Sequence, residues 1–203
     1  MSAPQRSRGG RPAVLSEEKI IAAALAVIDA EGLDGLSMRR VGALLGVEAM
    51  ALYRHVPNKN AMLAAVVDHL TAGAATRPAP GTPWTDALAG FGHRYRDVLL
   101  GHPAAVPLLA THPVSPATAE ALLTPILETV DHAGVTVERI QFAFQSVAVF
   151  VLGHALAQVG TPPGDGPATR SASTSYYDAW FEAGLSALRR GFAVTPAPDD
   201  GPL

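Results

Sequence analysis

LDGLSMRRVGALLGVEAMALYRHVPNK, residues 33–59, is the stretch on which the reading of this chain turns. Within residues 37–45 the apolar side chains Met38, Val41, Leu44 and Leu45 recur at helical spacing, so one face of a helix is turned to a core. Ser37 stands where an N-cap belongs. Gly46 follows, and a residue that tolerates positive φ closes a helix in a left-handed turn and redirects the chain at once. Val47 plugs the corner. A second short helix is expected over residues 48–56, with Leu52 and Val56 turned inward and Ala49, Met50, Tyr53 and Arg54 on the outer side. Pro57 disfavours helical geometry at Val56, which ends this helix, and Asn58 caps another that begins at Lys59.

Two short helices joined at a glycine turn have the layout of a helix-turn-helix, whose second helix enters a DNA groove. Upstream, residues 16–31 read as an amphipathic first helix with Ile21, Leu25 and Ile28 as its inner stripe, ended by Gly32. The segment resembles the DNA-binding domain of the tetracycline repressor (TetR) family, whose hallmark is LGV, a few variable residues, then LYxHVxNK. This chain has Leu45-Gly46-Val47 and Leu52-Tyr53-Arg54-His55-Val56-Pro57-Asn58-Lys59.

The resemblance implies roles for particular side chains. Arg39 matches the family arginine that reaches a guanine, and a bidentate fork to O6 and N7 is the commonest specific base contact. Glu48, Ala49 and Met50 open the recognition helix; the last two offer only apolar contacts, as to a thymine methyl. Tyr53, His55 and Lys59 match positions that grip phosphates, which set register rather than sequence preference. Arg54 replaces a residue that is often aromatic in the family, so it meets either a base or a phosphate. Arg6, Arg8 and Arg11 form a basic arm that either tracks DNA or is a solvated tail.

Composition bounds the rest. A chain of 203 residues, 48% of them hydrophobic, can bury a sizeable core, and its polar, basic start has no signal-sequence core. No uninterrupted apolar run approaches the length of a membrane helix, so a cytoplasmic protein is expected. Zero cysteines exclude disulfides and thiolate chemistry. The net charge of -3 conceals an asymmetry: residues 1–60 hold eight Lys/Arg and six acids, and the remainder seven and twelve. That sign suits a basic reading head on a body that phosphates repel.

The expected fold class is all-α, with an N-terminal three-helix head and an all-helical body. The divisions are a basic arm at 1–13, the head at 14–71, a body at 84–192 and a tail at 193–203, with the Pro/Gly-rich stretch 72–83 as hinge. Body helices are expected over 84–100, 116–133, 137–159 and 176–192, with a proline-broken piece at 102–109 and a polar loop at 161–175. Residues 137–159 are apolar nearly all round and must be covered on several sides. The body resembles the family's ligand-binding domain more weakly, through Trp84-Thr85-Asp86, Leu99-Leu100, HAGVTVE at 132–138 and Phe150-Val151-Leu152-Gly153. In the family the last two long helices pair with those of a partner in a four-helix bundle, which implies a homodimer.

The seven histidines lack zinc-helix spacing, and no nucleophile elbow, phosphate-cradling glycine loop or paired catalytic carboxylates appear. No metal, cofactor or catalytic site is expected. Aligned with the family, the histidine that holds the drug's magnesium gives way to Leu108 or Leu109 and its supporting acid to Ala157, which argues against tetracycline itself. The expected pocket draws on Phe91, Tyr95, His102, Leu108, Leu109, Ile126, Phe142, Gln145, Phe150 and His154 and takes a mostly apolar or aromatic molecule without metal. These expectations describe a repressor that binds a palindromic operator as a dimer and is released by that molecule. An activator of the same build and a catabolic enzyme are the competing classes.

Overall fold

In the computed structural model the described residues are 15–130, 135–160 and 173–193, and every regular element among them is helical. The basic arm, the 161–172 loop and the 194–203 tail lie outside them.

Helix α1 spans Glu17–Gly35, with the Ser16 side chain accepting a hydrogen bond from the Lys19 amide. Its inner stripe is wider than Ile21, Leu25 and Ile28: Ile20, Ala24 and Val27 are buried as well. Gly32, at φ 74°, breaks the helical path where the sequence places the stop, and a short turn carries on to Gly35. Helix α2, Met38–Leu45, begins at Ser37, whose hydroxyl accepts the Arg40 amide at 3.1 Å, and ends at Gly46 with φ 68°. The corner is tight: the Val47 amide bonds the Gly42 carbonyl at 2.9 Å, and a Cβ on Gly42 would lie 2.8 Å from the Val47 carbonyl oxygen.

Helix α3 spans only Ala49–Leu52, shorter than the expected 48–56. Its end tightens because the His55 amide reaches back three residues to the Leu52 carbonyl, and Pro57 follows before another turn can form. Leu52 and Val56 are nonetheless both buried. Helix α4, Lys59–Ala72, is capped by Asn58, whose Oδ1 accepts the Ala61 amide at 2.8 Å. It buries Met62, Val66, Val67 and Leu70.

The body comprises α5 (Trp84–Gly101), a 3-10 turn (Pro103–Ala105), α6 (Val106–Thr111), α7 (Pro116–Leu127), α8 (Val137–Val159) and α9 (Thr174–Ala193). Helix α7 is shorter than the expected 116–133: Glu128 caps it, and the Thr129 hydroxyl donates to the Ile126 carbonyl. Helix α5 is the central post, packed on α8, α9, α7 and α4. Head and body share one continuous core, since α1 packs on the 3-10 turn and α4 on α5, α6 and α7. Polar ties reinforce the joint: Asp68 accepts the Ser115 amide at 2.8 Å, Asp29 meets His102 Nδ1 at 2.8 Å, and Arg94 donates to the Gly73 carbonyl.

Helix α8 has the length and a mean hydropathy of 1.6 that a membrane-crossing helix could have, although no uninterrupted apolar run in the sequence reaches that length. One side of it is core, where Ile140, Ala143, Val147 and Val151 are buried, and another is open, where Phe142 is 55% and Val149 72% exposed. Against α9 the Phe150 ring packs directly on Gly184, where a Cβ would overlap it. His154 is 2% exposed in the same seam and donates from Nε2 to the Tyr177 carbonyl, while its Nδ1, near the rings of Phe150, Trp180 and Phe181, has no hydrogen-bond partner among the described residues.

Burial lowers the His154 pKa below its ordinary 6.5, with nearby Arg96 acting in the same direction and the Tyr177 carbonyl and Asp178 opposing it. The unfolded chain therefore binds this proton more readily than the folded one, so stability is full above about pH 6.5 and falls as the pH drops toward the folded-state value. In thermal melts from pH 7.5 to 5, wild type is expected to lose more than His154→Gln, which keeps a donor and does not titrate; equal slopes would contradict this.

Candidate functional site

The outer surface of the head is assembled from residues that local chemistry fixes. The Ser37 cap starts α2 just before Arg39, which is exposed and has no ion pair among the described residues. Its neighbour Arg40 is committed elsewhere: its Nε donates to Glu31 Oε1 at 2.7 Å, and that carboxylate raises the Arg40 pKa through the hydrogen bond and its charge. Of two adjacent arginines, one is held on the protein and one is available.

The left-handed turn at Gly46 swings α3 out so that Met50 is 74% and Tyr53 44% exposed, large values for apolar side chains. Glu48, Arg54 and His55 are exposed and Ala49 is half-buried. Tyr53 and His55 thus do not fill gaps between helices. Lys59 is exposed at the first position of α4, where the helix amides also favour an anion. Seven of the eight expected side chains are thus exposed, on α2, on α3 and the turn after it, and at the start of α4, and Ala49 is half-buried.

In the body, a cavity of about 200 Å³ opens between α4, α5, α7 and α8. Phe91 and Tyr95 line it from α5, with ring centroids 5.7 Å apart, and Phe144 from α8 sits 4.6 Å from Phe91. Leu122 and Ala119 close it from α7, Thr71 from α4, and Gln145, Ala148 and Val149 from α8. Among the described residues no charged side chain lines it. Burial pushes the Tyr95 pKa up to about 12, so it is a neutral phenol. A second cleft of about 490 Å³, lined by Glu120, Leu123, Gln141 and others, shares Ala119, Phe144 and Gln145 with it.

Of the ten side chains expected in the pocket, this cavity gathers Phe91, Tyr95 and Gln145. The others lie outside its lining. Leu108, Leu109 and Ile126 are buried core outside its lining. Phe142 points outward, because it lies half a turn from Phe144. Phe150 and His154 belong to the α8–α9 seam. His102 is the joint residue paired with Asp29.

Thr71, Val114, Leu122, Phe144 and Val149 join the lining without having been expected there. Thr71 carries a faint signal: it lies four residues after the buried Val67, so a polar residue continues an apolar stripe.

Known proteins share both parts of this architecture. Residues 20–66 match the family described as "Bacterial regulatory proteins, tetR family", and residues 77–179 match "Tetracyclin repressor-like, C-terminal domain". The chain is 30% identical to an HTH-type transcriptional regulator of Saccharopolyspora erythraea, over 98% of this chain and 81% of that one. It is 34% identical to the tetracycline repressor protein class E of Escherichia coli, over 72% of this chain and 70% of the other. Among solved structures it resembles a TetR variant from Acinetobacter baumannii AYE in complex with minocycline, with TM-score 0.73 and 27% identity, covering 91% of this chain and all of that one.

The division between Arg39 and Lys59 is testable on a duplex that the protein protects. Arg39→Ala is expected to cost about 1–3 kcal/mol on that duplex and little on a scrambled one, whereas Lys59→Ala weakens both alike and lowers the salt dependence by about one contact. Equal loss of preference in both variants would contradict it.

Proposed function

This chain belongs to the tetR family of bacterial regulatory proteins, and from that premise we propose that it is a repressor that binds a palindromic operator as a homodimer and leaves it when a small neutral aromatic molecule enters the body. Membership in a family of transcriptional regulators argues against the enzyme class. The observation that carries the reading is the shared helix α4, which has Lys59 exposed at one end and Thr71 in the cavity wall at the other. A ligand that prefers a different setting of α4 must weaken operator binding by its differential affinity, and no other coupling is needed. The genes it would control are those for export or breakdown of that molecule, and the reading places it in the cytoplasm.

The cavity favours a neutral apolar or aromatic guest without metal. Its wall has stacked rings, one amide and the hydroxyls of Thr71 and Tyr95, and Leu108 and Leu109, which align with the family's metal-holding histidine, are buried core outside it.

The dimer is supported by what α8 and α9 leave uncovered. Phe142, Val149 and Leu156 recur at seven-residue spacing along the open side of α8, and Tyr176 and Trp180 are 60% and 43% exposed on α9. An apolar stripe on two adjacent helices asks for a partner, and the same two helices of a second copy provide an isologous one. Sedimentation at micromolar concentration is expected to give two chains for wild type and one for Phe142→Glu or Val149→Glu with helix content kept. A single-chain mass for wild type would contradict the dimer.

A further inference from the structure

Thr71 sits in the last turn of α4 and is 4% exposed, yet its Oγ1 has no hydrogen-bond partner among the described residues. A helical threonine commonly gives this hydroxyl to a carbonyl one turn back, and a buried hydroxyl left unpaired costs stability. Here it lines the 200 Å³ cavity instead, opposite Phe91 and Phe144. Thr71 is the neighbour that would hydrogen-bond Tyr95 and so opposes the rise in its pKa, but among the described residues the two hydroxyls do not meet in hydrogen-bonding geometry. Among the described residues the lining has no cation to receive an anion, so a carboxylate would be buried there without a counter-charge.

We propose that the Thr71 hydroxyl is the cavity's polar anchor, donating a hydrogen bond to a carbonyl or phenolic oxygen of an uncharged aromatic ligand. It thereby selects oxygenated rings over bare hydrocarbons, while the apolar wall rejects aromatic carboxylates. This rests on the reading that the cavity takes a neutral aromatic guest.

The test uses naphthalene, 1-naphthol and 1-naphthoate as probes, titrated into the full chain, Thr71→Val and Thr71→Ser. Wild type is expected to bind 1-naphthol roughly fivefold to tenfold more tightly than naphthalene, the amount one buried hydrogen bond supplies, and naphthoate more weakly than either. Thr71→Val brings naphthol and naphthalene within about twofold of each other without weakening naphthalene, and Thr71→Ser restores the preference. Without ligand, Thr71→Val melts no lower than wild type, because it exchanges an orphaned hydroxyl for a methyl of the same shape. An undiminished preference in Thr71→Val, or a lower melting temperature, would overturn the anchor and leave the guest class standing. Failure of wild type to bind both naphthalene and naphthol would overturn the guest class and the anchor together.

Discussion

Helix α4 is committed at both ends. Near its start Met62 and Val66 are fully buried in the core that positions α1, α2 and α3, and the Asn58 cap fixes where the helix begins. At its last turn Thr71 closes a wall of the body cavity, and Asp68 holds the start of α7. A fourteen-residue helix is about 20 Å long and stiff, so its two ends cannot be displaced independently. The head therefore takes its orientation from whatever packing the body adopts around α5.

That constraint gives the other contacts their meaning. Asp29–His102 and the packing of α1 on the 3-10 turn hold the second edge of the head, so the joint has two fixed sides. On the reading proposed here, a twofold trunk of α8 and α9 then sets the gap between two heads, and only a gap near one turn of B-form DNA lets both enter the major groove. A change of the body needs little energy to matter: each 1.4 kcal/mol of differential ligand affinity shifts the operator equilibrium about tenfold.

The head was legible in the sequence because its determinants are local. Ser37, Gly46 and Asn58 each act within four residues of themselves, through a cap or a positive φ, and the structure places all three in those roles. Two local expectations fail: Leu44, expected on the core face of α2, is 48% exposed, and α3 is shorter than expected because the chain tightens into a turn before Pro57 is reached. The cavity was legible only in part because α8 is apolar on nearly every side and its pattern carries no phase. Phe142 and Phe144 look alike in the sequence, and only the packing of α5 and α7 makes one the cavity wall and the other surface. The same holds for His154, whose environment is supplied by α9, more than twenty residues downstream.

On the proposed reading, operator binding requires two heads held at a set spacing by one trunk. The most direct measurement is a footprint of the protein on the DNA upstream of its own gene at low ionic strength. Protection of two inverted half-sites is expected, with centres about 10–10.5 base pairs apart or a multiple of that, lost together on addition of an effective ligand. Protection of a single half-site, or none on any duplex offered, would contradict the paired heads.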